Sequence, residues 1–79
     1  ATSAKRKLSY KEQRELEGLP ALIDALETEQ TALRAELADA SIYQRDAQRA
    51  ATLHARDAAI EDELMQALER WEALGAVAG

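Results

Sequence analysis

The feature that most constrains this chain is a doubled pattern of alternating threes and fours. Leu16, Leu19, Ile23, Leu26, Gln30, Leu33, Leu37 and Ala40 follow that spacing, and so do Leu53, Asp57, Ile60, Leu64, Ala67, Trp71 and Leu74. Such a period keeps one stripe of an α-helix against a partner helix and fits no strand. Composition agrees, because one Pro, three Gly, no Phe and a single Val leave little to build a sheet or a hairpin turn. The chain is expected to be all-α. Hydrophobic residues make up 47% of the 79, but 18 of them are alanine, so the core of this one small domain must be thin. The lack of cysteine excludes a disulfide scaffold and a Cys-based zinc site. No apolar run approaches the ~20 residues that span a bilayer, and no signal-peptide core is present, so no membrane contact and a cytoplasmic location are expected. The sequence starts with Ala rather than Met and reads as a piece of a longer polypeptide.

Local signals divide the chain into a basic linker at 1–8, a coiled-coil domain at 9–75 and a frayed tail at 76–79. Ser9 and Glu12 have the spacing of a capping box, which starts a short helix over 10–17. Gly18-Leu19-Pro20 predicts a break in the form of a kink or a single 3₁₀ turn rather than a reversal, since Pro20 brings no N–H to the Leu16 carbonyl and disfavours helical geometry at Leu19. A second helix follows over 20–38, then a turn over 39–46 carrying Ile42 and Tyr43. Asp46 is positioned to cap a last helix over 47–74, ended by Gly75. The arms from 9 to 38 and from 47 to 74 are both roughly 42–45 Å long at 1.5 Å per residue. Their short connection favours an antiparallel two-stranded coiled-coil hairpin, its first arm broken at Gly18-Leu19-Pro20. Folding it back sets Leu37 near Leu53, Gln30 near Ile60, Leu26 near Leu64 and Leu19 near Trp71. In that register the Trp71 indole is expected to fill the gap opened by the break. A monomer is expected, with a homodimer or four-helix association as the alternative use of the same stripes.

The net charge of −5 is unevenly spread. Lys5, Arg6, Lys7, Lys11 and Arg14 stand against Glu12 alone, giving +4 over the first fourteen residues. The remainder carries five arginines and fourteen acids, or −9. A basic arm on an acidic body fits local contact with phosphate backbones, or simply a solvated linker. Toward the turn lie Arg34, Arg45, Arg49 and Arg56, suited to phosphate contact or to ion pairing with Glu36, Asp39, Asp46 and Asp57. Tyr43 among them suits either packing under the turn with Ile42 or stacking on an unpaired base. No Gly-rich phosphate loop and no nucleophile beside a base is present. His54 and Asp57 alone are too few to hold a metal, and Glu61-Asp62-Glu63 reads as a hydrated helix face. No catalysis, metal or cofactor is expected of this stretch.

The run Lys7-Leu8-Ser9-Tyr10-Lys11-Glu12-Gln13-Arg14-Glu15-Leu16-Glu17, followed by Leu19-Pro20, resembles the opening of the C-terminal domain of Uup-type ABC-F ATPases. Leu37-Ala38-Asp39 with an aromatic at Tyr43, and Glu69-Arg70-Trp71-Glu72, look like the same family, so the resemblance spans about residues 7–75. One departure is Ala40, where the family turn often carries Pro after the Asp. The resemblance implies a cytoplasmic parent ATPase, with ATP and Mg bound by two domains that precede a basic linker and an α-helical coiled coil. It further implies association with ribosomes or DNA processing, and DNA binding by the coiled coil itself. Joined to the charge pattern, it predicts a non-catalytic module that binds DNA without regard to sequence. The contacts expected are Lys5, Arg6, Lys7, Lys11, Arg14, Arg45, Arg49 and Arg56. Ribosomal RNA is the alternative nucleic acid. The alternative function is a protein-interaction hairpin that docks on the parent's ATP-binding domains or on the ribosome.

Overall fold

In a computed structural model the chain is described for residues 7–78, which contain no strand. Helix α1 covers Tyr10–Leu37, α2 covers Ile42–Arg45 and α3 covers Ala47–Ala78. Helices α1 and α3 lie side by side and antiparallel, in a rod of 60 × 18 × 16 Å. The fold is the antiparallel helical hairpin that the two apolar stripes demand.

The start of α1 is a capping box. The Ser9 hydroxyl accepts from the Glu12 N–H at 3.1 Å, and the Ser9 N–H donates to the Glu12 carboxylate at 3.0 Å. Leu8, assigned to the linker by its surroundings in sequence, packs against the cluster of Leu19, Ala67 and Leu74 and so belongs to the fold. The helix then runs without interruption through Gly18, Leu19 and Pro20, which corrects the expected break and the division into helices at 10–17 and 20–38. The physical reason is tertiary. Leu16, Leu19, Ile23 and Leu26 all face α3, and keeping them on one stripe outweighs the missing N–H of Pro20, which lies on the exposed side. Helix α3 likewise continues past Gly75 to Ala78, beyond the expected stop. Gly75 does not have positive φ, so it acts as a helix residue rather than a cap.

Between the long helices the chain makes a tight corner. Asp39 accepts from the Ser41 N–H at 3.0 Å and from its hydroxyl at 2.8 Å, and the one-turn helix α2 follows. Asp46 accepts from the Arg49 N–H at 3.0 Å and so caps α3. The corner is closed from beneath by Ile42, which is fully buried, while Ala40, placed in the seam by its spacing, is exposed.

The seam itself holds two clusters. Leu26, Leu33, Ile42, Ala50, Leu53, Ile60 and Leu64 form the larger one toward the corner, and Leu19, Ala67 and Leu74 the smaller one toward the open end. Ile23 packs against both. At the polar position, Gln30 is buried and donates Nε2–H to Asp57 at 2.9 Å and to Glu61 at 3.0 Å, on either side of Ile60 in sequence. Trp71 departs from expectation: it is 45% exposed. With α1 continuous, Leu19, Ala67 and Leu74 close the seam there without the indole.

Candidate nucleic-acid interface

The long helices hold each other's charges in place. Arg70 donates to Glu15 at 2.7 and 3.0 Å, and Arg56 to Glu29 at 2.6 and 2.9 Å. Arg49 grips Glu36 with two N–H groups. These three pairs run down one flank, because Glu15, Glu29 and Glu36 share one side of α1 at multiples of seven residues. On the opposite flank Arg34 donates to Asp57 at 3.1 Å and to Glu61 at 2.7 Å, completing a cross-helix network with Gln30. The hydrogen bond from Arg70 holds the Glu15 carboxyl below the usual carboxylate range, and Arg56 and Arg49 do the same for Glu29 and Glu36. Asp57 is lowered by Arg34 and then by Gln30, and Asp39 chiefly by the hydroxyl and N–H of Ser41.

The candidate cations fall into two groups by their partners. Of the tip residues, Arg45 reaches Asp39 at 3.3 Å, Arg49 is clasped by Glu36, and Arg56 is clasped by Glu29 with Glu63 at 3.7 Å. A phosphate approaching any of them competes with a carboxylate. At the other end of the rod, Lys7, Lys11 and Arg14 are exposed and have no carboxylate within 4 Å among the described residues. Lys11 and Arg14 are three apart and share one face of α1's first turns. Arg14 also donates to the Tyr10 hydroxyl at 3.1 Å and lies 5.8 Å from its ring centroid, which orders the guanidinium without neutralising it. Continuing along that face, Gly18, Ala21 and Ala25 carry no charge. Lys5 and Arg6 lie outside the described residues. Tyr10 escaped the sequence reading, although its spacing of four from Arg14 was the available signal.

Tyr43 is exposed rather than tucked under the turn with Ile42, and it meets His54 of α3 with 2.8 Å between its hydroxyl and Nε2. His54 is exposed too, and among the described residues no group of three or more His, Cys, Asp or Glu is placed to hold a metal. No helix there is long and apolar enough to cross a membrane.

A family model for the ABC transporter C-terminal domain matches residues 7–76. The chain belongs to that family. This ABC transporter C-terminal domain is 49% identical over 71 residues to the ATP-binding protein Uup of Escherichia coli strain K12, covering 90% of this chain and 11% of that protein. It is also 49% identical over 73 residues to the ATP-binding protein Uup-like of Haemophilus influenzae, covering 86% of this chain and 15% of that one. The chain therefore spans only a small part of the relatives it matches. Among solved structures it is similar to the C-terminal domain of the Uup protein, described as a DNA-binding coiled-coil motif. The TM-score is 0.84 at 43% identity, over 99% of this chain and 93% of that one.

Proposed function

We propose that this domain binds DNA through its phosphate backbone, independently of sequence, as a non-catalytic C-terminal module of a cytoplasmic ATP-binding protein of the Uup type. The observation that carries the reading is the likeness, along nearly the whole chain, to a coiled coil described as DNA-binding. The charge arrangement supports a location for the contact. Lys7, Lys11 and Arg14 carry charge at the head of α1 with no carboxylate within 4 Å among the described residues, although Glu15 attracts Lys11 from farther off, whereas every arginine of the later chain is already held by a carboxylate. Together with Lys5 and Arg6 they form the arm we assign to the duplex; Arg45, Arg49 and Arg56 contribute less because of their clasps. ATP and Mg belong to the rest of such a protein, not to this domain.

Salt dependence tests the proposal. Each phosphate contact steepens log K against log salt by ~0.9 for duplex DNA, so replacing Lys5, Arg6, Lys7, Lys11 and Arg14 by Ala together should flatten the slope by several such steps. Replacing Arg45, Arg49 and Arg56 should change it far less. An unchanged affinity in the first variant removes the arm from the interface. A second reading, docking on the parent's ATP-binding domains or the ribosome, draws support from the acidic body and from Met65, Leu68 and Trp71, which are exposed in the open-end half of α3. That mode would bind with little dependence on salt.

A further inference from the structure

The corner of the hairpin has a feature that phosphate binding leaves unused. Tyr43 sits at the far end of the rod from the basic arm, and the residue is 47% exposed although its ring is apolar on both faces. Three things hold it still. Ile42, its neighbour in α2, is fully buried and anchors the turn to the core. The backbone of α2 is bonded at both ends, Ile42 N–H to the Asp39 carbonyl at 3.1 Å and Asp46 N–H to the Ile42 carbonyl at 2.9 Å. The hydroxyl meets His54 Nε2 at 2.8 Å, with the two rings 5.9 Å apart and tilted by 32°. A ring seated this way loses little conformational freedom when something lies against it.

We infer that Tyr43, braced by His54, is a stacking platform for one unpaired base of a single strand. The inference rests on the DNA reading and adds to it a second contact of different chemistry. The electrostatics of the corner favour a base over a duplex. Arg34, Arg45 and Arg49 are each paired with Asp57 and Glu61, Asp39 or Glu36, so the dense phosphates of a duplex gain less there than at the arm. A lone base brings a π-face and few phosphates, and a tyrosine face accepts any base. Tyr10, the other tyrosine, is exposed too, but it stands among the cations assigned to the duplex, with the Arg14 guanidinium 5.8 Å from its ring centroid.

The test compares a short single strand carrying 2-aminopurine with a duplex of the same sequence, each titrated with the unmodified domain and with Tyr43→Ala, Tyr43→Phe and His54→Ala. Tyr43→Ala should weaken single-strand binding roughly ten-fold and abolish the fluorescence change of the stacked base, while duplex affinity stays as it was. Tyr43→Phe keeps the ring and loses only its brace, so it and His54→Ala should fall between the unmodified domain and Tyr43→Ala. Because Tyr43 is exposed, the helical melting curve of Tyr43→Ala should match that of the unmodified domain. Equal weakening of both DNA forms, or no weakening of either, overturns the platform while leaving the arm standing. Failure of the unmodified domain to bind any DNA overturns the DNA reading, and the platform with it.

Discussion

Two large side chains on α3 sit on the same stripe and meet opposite fates. Ile60 is completely buried among Leu26, Leu33, Leu53 and Leu64, whereas Trp71, three turns on, keeps 45% of its surface in water. Ile60→Ala empties a site with no route to collapse and should cost about 2–5 kcal/mol, against about 1 kcal/mol or less for Trp71→Ala. Urea unfolding followed by helical circular dichroism measures both, and the reverse order would mean that the indole is a core residue after all. The single tryptophan reports directly as well: its native emission should be readily quenched by acrylamide.

At the scale of the element, the continuity of α1 makes its own forecast. Gly18 lies within the helix at ordinary φ, and a Cβ there would meet nothing within 4 Å. Gly18→Ala should therefore stabilise the domain by about 0.5–1 kcal/mol, since alanine gives up less chain freedom on entering a helix. A destabilised Gly18→Ala domain, seen as a lower urea midpoint, would point to a real break at this place. The seam and the Ser9–Glu12 cap were legible in the sequence because both depend on spacing alone. The fate of Gly18, Pro20 and Gly75 was not, because local propensity argues one way and packing against the opposite arm argues the other. Ile42 illustrates the same limit, for its burial depends on how the corner folds under itself. Glu36, Asp39 and Asp57 were recognisable as partners for nearby arginines. Glu15, Glu29 and Glu61 became partners only through the register, 55, 27 and 27 residues from the arginines they meet. The pairing of Tyr43 with His54 also depends on the angle at which α2 meets α3.

For the whole molecule, the cross-helix ion pairs couple the fold to acid. Glu15, Glu29, Glu36 and Asp57 all have carboxyls held below their ordinary values of 4.5 for Glu and 3.8 for Asp. A depressed carboxylate contributes stability that is fully present above its unfolded value and is lost as pH falls through the lower, folded one. The melting temperature should hold from neutral pH down to about 5 and then decline as these groups take up protons. A melting temperature that instead rises on acidification would show that repulsion among the acids outweighs the pairs. Salt at neutral pH should act only mildly on the fold, because pairs this exposed are already screened.

The rod is 60 Å long, with the cations of the arm gathered where α1 begins and an excess of acids over the rest of its length. Such a body is least acidic at that end, where Lys7, Lys11, Arg14 and Arg70 offset most of Glu12, Glu15, Glu17, Glu69 and Glu72. Near a polyanion it should turn that end inward and stand away from the surface, as a mast stands on a deck, with its corner held out in solution. Whatever the corner touches would then be found at a distance from the strand to which the foot is attached, and the span between the two would be set by the number of helical turns in the seam.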